Sequence, residues 1–294
     1  NKVINLIKSA DIVIDQFRPG VMKRLGLDFK SLLKIKPNII HCSITGYGQT
    51  GPKKLVAAHD LNYMAESGLL SLSREKDGTP AMPNTQIADI AGGSYPAVIN
   101  ILLALREVEK TGQGKFLDIS MTDNLFPFMW MALGLTAKNY YSEGGDLQLT
   151  GASPRYGIYE TLNKGYIALG ALEEKFWLRF CEVINLPQEF IDDRINPNAT
   201  KVAIIKLIKE KETEYWKETL SKEDNICCSI VSSLKEAMSN AQIIERELLT
   251  AEIKLGTEKI LAIPTLLAPT WKTKDVIKSA PKLGEANLLY MEET

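Results

Sequence analysis

The stretch that decides the fold is Ile39-Ile-His-Cys-Ser-Ile44, an apolar run that leads into Gly46-Tyr-Gly-Gln-Thr-Gly-Pro52. A short apolar run followed by a glycine-rich segment predicts a buried strand and then a loop. The three glycines of the loop allow its backbone to approach a ligand closely. Because ligands of parallel α/β sheets bind beyond the carboxyl ends of the strands, this loop is the first candidate for a binding site.

The segments on either side of this strand predict a parallel sheet. Apolar runs of strand character occur at residues 12–14 and 115–120. Between the runs, apolar residues recur at helical spacing over residues 21–35, 59–72 and 87–109. Connections of helix length join parallel strands, so we predict an α/β fold for this part of the chain.

A second, smaller α+β unit is predicted further along the chain. Residues 157–162 and 166–170 flank Asn163-Lys-Gly165 and indicate a hairpin, and helical patterns follow it. We therefore divide the chain into four parts. They are a large domain over residues 1–120, a linker over 121–157, a small domain over 158–240, and a return linker and C-terminal segment over 241–294 that packs on the large domain.

Composition excludes several classes of protein. Of the 294 residues, 45% are hydrophobic and 24% are charged, as in globular proteins, and the net charge of −1 argues against a nucleic-acid binder. No apolar run approaches the roughly 18 residues of a membrane span, so we expect no membrane partner. The four cysteines show no C-x-x-C spacing, which indicates free thiols in a reducing, cytoplasmic compartment and no metal site. The chain begins at Asn1, so we expect it to be cut from a longer one, and targeting is not judged from it.

Charge is unevenly distributed along the chain. Residues 1–58 contain ten lysines and arginines against three aspartates, a net charge of +7 that leaves −8 for the remainder. A basic segment beside glycine loops suits an anionic ligand such as a phosphorylated cofactor. Arg18 and Arg24 lie near turns and are the better ligand candidates, although both common glycine-rich nucleotide motifs are missing.

Two residue types suggest acid–base chemistry. His41 lies inside an apolar strand and is interpreted as structural. His59 stands where a loop meets a helix, so it is either part of an ordinary helix start or a general base. Asp89 precedes two adjacent glycines, which cost about 1 kcal/mol each in a helix and therefore indicate close approach by backbone or by a ligand.

An ordered series of motifs runs through the whole chain. The series comprises Asp15-Gln-Phe-Arg-Pro-Gly20, Arg24-Leu-Gly26, Ser43-Ile-Thr-Gly-Tyr-Gly-Gln-Thr-Gly-Pro52, His59-Asp-Leu-Asn-Tyr63, Asp89-Ile-Ala-Gly-Gly-Ser94, Gly112-Gln-Gly114, Tyr159-Glu-Thr161, Ala168-Leu-Gly-Ala-Leu-Glu173 and Ala280-Pro-Lys-Leu-Gly-Glu285. Together these motifs resemble the family III CoA-transferase superfamily of the CaiB/BaiF type. The pair His59-Asp60 resembles its α-methylacyl-CoA racemase branch.

This resemblance implies a Rossmann-like large domain and a small domain, assembled as an interlocked homodimer. It also implies an acyl-CoA thioester as substrate, with coenzyme A entering as part of that substrate and no permanently bound cofactor. The family's N-terminal βαβ portion, which carries another CoA-binding arginine, is missing here, and we therefore expect weaker CoA binding by this chain alone.

Site residues follow by matching motifs. His59 and Asp89 match the racemase acid/base pair, and Glu173 matches a carboxylate that orients the histidine. The matched CoA-binding and thioester-lining residues are Gln16, Phe17, Arg18, Arg24, Ala58, His59, Asp60, Leu61, Asn62 and Tyr63.

Three functions fit these residues. The first is epimerisation of 2-methylacyl-CoA at the α-carbon, with backbone amides beside Asp89 stabilising the enolate. In the second, a CoA-transferase, Asp89 is a nucleophile that forms an acyl-enzyme anhydride and then an aspartyl-CoA thioester. The third is a non-catalytic CoA-binding or partner subunit, which the missing N-terminal portion would explain.

Overall fold

The computed structural model describes residues 2–75, 77–271 and 278–287 and divides the chain into two compact units. The first unit is Asn1–Ala152 and the second is Ser153–Thr294. The boundary falls within the polar, glycine-containing segment that sequence analysis assigned to the end of the linker. The predicted outer limits of the domains stay predictions.

The first unit is built on a parallel sheet, as predicted. Its strands are β1 (Ile12–Asp15), β2 (Ile40–Thr45) and β3 (Lys115–Ser120), in the order β1-β2-β3. Ile40 of the central strand is paired with Ile12 on one side and with Lys115 on the other. The central strand is buried along almost its whole length because neighbouring strands flank both of its edges and helices cover the sheet. The decisive apolar run is therefore the middle of an α/β sheet.

The helices of the first unit precede, connect and follow these strands. They are α1 (Lys2–Ser9), α2 (Val21–Arg24), α3 (Phe29–Ile35), α4 (Asp60–Ser67), α5 (Tyr95–Thr111) and α6 (Trp130–Thr136), with short 3₁₀ helices at Leu69–Leu72, Asp123–Met129 and Gln148–Thr150.

The prediction of one continuous helix over residues 21–35 is wrong. Gly26 adopts a φ of 69°, in the left-handed region that ends helices. Asp28 then caps α3, because its side chain accepts a hydrogen bond from the backbone N–H of Ser31. A helix stop and a helix start in succession outweigh the apolar periodicity that runs through both helices.

One helical segment of the described residues, Ala88–Thr111, is long and apolar enough to cross a membrane by length and composition. This finding corrects the prediction that no segment reaches that threshold. Core helices of α/β proteins meet the same criterion. Within this segment α5 places Ala97 and Ile101 in a buried cluster with sheet residues, and Ala104 is also buried, whereas Leu102 and Leu103 are exposed. The helix is therefore one layer of the α/β unit.

The second unit contains the predicted hairpin. Strands β4 (Tyr156–Glu160) and β5 (Tyr166–Gly170) are antiparallel, and β6 (Cys228–Ile230) adds to β5. Lys164 takes a φ of 63° at the turn that joins the first two strands. The helices of this unit are α7 (Glu174–Val183), α8 (Pro197–Ile208), α9 (Thr213–Leu220), α10 (Leu234–Met238) and α11 (Ala241–Glu245), with a short 3₁₀ helix at Gln188–Phe190.

A further small sheet was not predicted. Strands β7 (Glu252–Leu255) and β8 (Glu258–Leu261) form an antiparallel hairpin, and β9 (Lys278–Ser279) runs parallel to β7. Most residues of the hairpin are exposed to solvent. Because neither face of the hairpin is buried, burial does not impose on its two strands the alternation of apolar and polar residues by which strands are predicted. Residues 272–277 and 288–294 of the predicted C-terminal segment lie outside the described residues, and its packing on the large domain stays a prediction.

Candidate active site

A cavity of about 540 Å³ lies beyond the carboxyl ends of the three parallel strands. Residues that follow β1, β2 and β3 contribute to its wall, together with the loop before α4 and the turn before α5. The lining residues are Gln16, Phe17, Arg18, Pro19, Ile44, Thr45, Gly46, Tyr47, Lys54, Val56, Ala57, Ala58, His59, Tyr63, Asp89, Ser94 and Met121. The cavity thus occupies the crevice in which α/β sheets bind ligands.

Tyr63 ties the loop after β2 to the segment that carries His59. A Cβ atom on Gly46 would overlap the Tyr63 ring, so a glycine is required where the ring crosses the loop. The Tyr63 hydroxyl donates a hydrogen bond of 2.7 Å to the carbonyl oxygen of Ala58. Burial and the nearby Asp89 carboxylate raise the pKa of Tyr63, which keeps this donor protonated.

His59 occupies the residue before α4 and has extended backbone torsions. Its backbone N–H donates to the side-chain oxygen of Asn62 over 3.0 Å, which fixes the start of the helix. His59 therefore lies at an ordinary helix start, as one interpretation of the sequence predicted. It also lines the cavity, as the other interpretation requires. The two interpretations of His59 are therefore compatible.

Asp89 lies in a π-helical turn, Ala88–Ser94, that precedes α5. Pro96 has no N–H to donate to the carbonyl oxygen of Gly92 four residues earlier. The Asn124 side chain donates to that oxygen instead, over 2.8 Å. The Ser94 hydroxyl donates to the carbonyl oxygen of Asp89 over 3.1 Å. The missing N–H of Pro96 and the two side-chain hydrogen bonds thus explain why the wider π-helical turn occurs at Asp89.

The two adjacent glycines after Asp89 accommodate protein atoms. A Cβ atom on Gly92 would overlap the carbonyl oxygen of Met121, and one on Gly93 would lie 3.1 Å from the Met121 side chain. Sequence analysis left open whether backbone or ligand approaches these glycines. In the structure, Met121 is the group that approaches them.

Asp60 acts on Asp89 directly. Its carboxylate accepts a hydrogen bond of 2.9 Å from the backbone N–H of Asp89. The pKa of the Asp89 carboxyl is raised by partial burial and by the charge of Asp60, while His59 acts in the opposite direction. The Asp89 amide is thus engaged by Asp60, and the hypothesis that backbone amides beside Asp89 stabilise an enolate stays a prediction.

The cavity brings together seven of the predicted site residues: Gln16, Phe17, Arg18, Ala58, His59, Tyr63 and Asp89. Asp60 and Asn62 contact this group through the hydrogen bonds described above, whereas Leu61 and Arg24 are not part of the lining. Glu173 belongs to the second unit, where it immediately precedes α7. Its proposed action on the histidine stays a prediction.

Ten lining residues are outside the set matched by motif: Pro19, Ile44, Thr45, Gly46, Tyr47, Lys54, Val56, Ala57, Ser94 and Met121. Gly46 and Tyr47 belong to the glycine loop that was the first candidate for a binding site, whereas Lys54 and Met121 carry no sequence signal beyond their position near a predicted helix or strand. Burial and the nearby Glu66 raise the pKa of Tyr47 to about 12, so its hydroxyl stays protonated. Among the described residues, no group of three or more His, Cys, Asp and Glu side chains could hold a metal ion.

Comparison with known proteins places the chain in a family. Residues 2–287 match CoA-transferase family III. Succinate–glutarate CoA-transferase of Agrobacterium fabrum is 28% identical over 99% of this chain and 74% of its own length. Alpha-methylacyl-CoA racemase of Mus musculus is 30% identical over 97% of this chain and 74% of its own length.

A solved structure shows the same fold. The crystal structure of a CaiB/BaiF family protein from Brucella suis superposes with a TM-score of 0.79 at 24% identity. The similarity covers 98% of this chain and 76% of that one. The match to the family extends over nearly the whole sequence and the motifs occur in order, so the chain belongs to CoA-transferase family III.

Proposed function

We propose that the protein epimerises the α-carbon of 2-methylacyl-CoA thioesters. The observation that carries this proposal is that His59 and Asp89 line the same cavity. Inversion of a carbon acid requires a base on one face and an acid on the other. An imidazole and a carboxyl group, contributed by separate segments, provide the two proton-transferring groups.

The reaction balances with these two groups alone. One of them removes the α-proton, and the electron pair of the C–H bond moves into the thioester to form an enolate. The other delivers a proton to the opposite face of the same carbon. A raised pKa makes the Asp89 carboxylate a stronger base than an ordinary aspartate, and this supports its role in removing a weakly acidic proton.

The proposed substrate is an acyl-CoA thioester because its anionic carrier suits the basic first segment of the chain. Residues 1–58 carry a net charge of +7, and two of their cations, Arg18 and Lys54, line the cavity beside Gln16 and Phe17, which match CoA-binding residues by motif. The interlocked homodimer and the lack of a permanent cofactor belong to the same proposal and rest on the resemblance, and the proposed cytoplasmic location rests on the cysteine pattern.

Replacing Asp89 with Asn tests the proposal. Asparagine has nearly the same shape but does not accept the proton. We therefore expect two rates to fall about 1000-fold: interconversion of the two enantiomers, and α-proton exchange into deuterated water for the enantiomer that Asp89 deprotonates. The control is Asp11→Asn, which removes an exposed carboxylate paired with Lys36. Interconversion of the enantiomers within a few-fold of the wild-type rate in the Asp89 variant contradicts the proposal.

A CoA-transferase is the second candidate because the carboxylate of Asp89 lines the cavity and relatives of both activities occur. In that reaction the carboxylate attacks the thioester carbonyl and expels CoA as a thiolate, which then attacks the resulting anhydride. Incubation with acyl-CoA and hydroxylamine separates the two functions. A hydroxamate on Asp89 supports the transferase, and α-proton exchange without any adduct supports the racemase.

A further inference from the structure

A buried pair of polar side chains lies at the end of β1 beside the candidate site. His41 Nε2 is 2.7 Å from Asp15 Oδ2, and both side chains are almost fully buried. A carboxylate oxygen only accepts, so the ring nitrogen is the donor. The His41 ring also packs edge-on against Phe116, with the ring centroids 5.1 Å apart. The three residues link β1, β2 and β3.

The second oxygen of Asp15 contacts the segment that lines the candidate site. Asp15 Oδ1 accepts a hydrogen bond of 3.0 Å from the backbone N–H of Phe17. Gln16, Phe17 and Arg18 are themselves exposed. The next hydrogen bond along the backbone is between the Arg18 carbonyl oxygen and the Val21 amide. Asp15 therefore anchors the beginning of this short segment.

The segment has open space on two sides. Phe17 and Arg18 line the cavity that contains His59 and Asp89. They also line a second cavity of about 590 Å³, whose wall includes Asp15, His41 and Phe116. Because residues 16–18 lie between two cavities, few packing contacts hold them in place, and their conformation depends on the hydrogen bonds at the two ends of the segment.

We propose that Asp15 and His41 are positioning residues that hold residues 16–18 in the conformation that binds the CoA thioester. The inference rests on the proposed function only in that the ligand is an acyl-CoA. His41 fixes the buried carboxylate by bonding one of its oxygens, and the carboxylate holds the Phe17 amide with the other. Removal of the histidine leaves a buried carboxylate oxygen unpaired, and the carboxylate then turns away from Phe17.

The test compares His41→Phe with His41→Gln. Phenylalanine fills the site without a donor, whereas the glutamine amide can still donate to Asp15. We expect His41→Phe to raise the dissociation constant of a non-hydrolysable acyl-CoA thioether about fivefold, and His41→Gln to change it less than about twofold. Turnover in the same variants should show the change in KM while kcat stays within about twofold.

Binding is measured directly, so the outcome does not depend on whether the enzyme is a racemase or a transferase. A His41→Phe protein that melts at a lower temperature but binds the thioether as tightly as wild type overturns the proposal and assigns the pair to stability alone. If that variant does not fold, amide hydrogen exchange in the wild-type protein decides. We expect the Phe17 amide to exchange more slowly than those of Gln16 and Arg18, and equal rates overturn the proposal.

Discussion

The two units of the chain are packed in different ways. In the second unit, buried residues from the hairpin and its helices form one cluster around Trp177 and Trp216. In the first unit, they form three smaller clusters: one on the sheet around Cys42, one around Tyr63 and Leu125, and one around Leu32. The candidate site adjoins the cluster that contains Tyr63.

This difference shows where the first unit gains the freedom to hold a cavity. Residues around the site are positioned by individual hydrogen bonds, such as those from Tyr63 to Ala58 and from Asp89 to Asp60. The second unit also has a cavity, of about 600 Å³, but it lies along α8 and the segment before it, and none of the predicted site residues lines it. We therefore expect substitutions in the second unit to affect mainly stability, and substitutions in the first unit to affect binding and proton transfer as well.

The largest effect is expected from Trp177→Ala. Trp177 is fully buried, its ring N–H donates to the Ile191 carbonyl oxygen over 2.7 Å, and the Arg155 guanidinium lies 4.9 Å from its ring. The variant leaves a large void, so the free energy of unfolding should fall by about 4 kcal/mol in urea denaturation followed by circular dichroism. Trp177→Phe keeps an aromatic ring and should lose less. If both variants lose the same free energy of unfolding, the volume of the aromatic ring does not stabilise this core.

An intermediate effect is expected from Gly92→Ala in the first unit. The new methyl group overlaps the Met121 carbonyl oxygen, so the turn that carries Asp89 must shift. We expect a loss of about 2 kcal/mol in the free energy of unfolding, together with a reduced α-proton exchange rate.

Gly134→Ala is the matched control for that change. Gly134 lies in α6, and nothing lies within 4 Å of the position that its Cβ would occupy. Alanine there should stabilise the protein by up to about 1 kcal/mol and leave exchange unchanged. If both variants behave alike, the close approach of Met121 does not determine the position of Asp89.

The smallest effect is expected from Asp60→Asn. The substitution keeps an oxygen for the Asp89 amide but removes the negative charge that helps to raise the pKa of Asp89. That pKa should therefore fall. For the enantiomer whose α-proton Asp89 removes, activity rises as Asp89 ionises, and this rise should move to lower pH. The pH profile of deuterium exchange measures the shift.

Glu107→Gln, which removes an exposed carboxylate paired with Lys115, is the control for this profile and should leave it in place. An Asp60→Asn profile that coincides with wild type would mean that Asp60 contributes only its hydrogen bond.

Much of the first unit was predictable because its strands are short apolar runs between amphipathic helices. The parallel direction of the strands follows from helix-length connections, whereas the pairing of Ile40 with Ile12 and Lys115 is seen only in the structure. The helix break at Gly26 was missed because the apolar spacing continues across it. The hairpin over Glu252–Leu261 was missed because its exposed strands have no buried face to mark the sequence.

The candidate site was predictable in its residue types but not in its contacts. Motif resemblance selected His59 and Asp89, and the cavity contains both. No local pattern indicates that Asp60 bonds the Asp89 amide, since 29 residues separate the two. Lys54 was missed because nothing in the sequence distinguishes it from the other lysines of residues 1–58.

The sequence by itself determined the parallel direction of the strands, the family and the types of residue able to transfer protons, because these depend on local periodicity and on ordered motifs. Only the tertiary structure decided which groups act on one another. It pairs Asp15 with His41, places Met121 against Gly92 and brings the Asp60 charge to Asp89. These contacts join residues far apart in the chain, so they exist only once the sheet has brought the ends of its strands together.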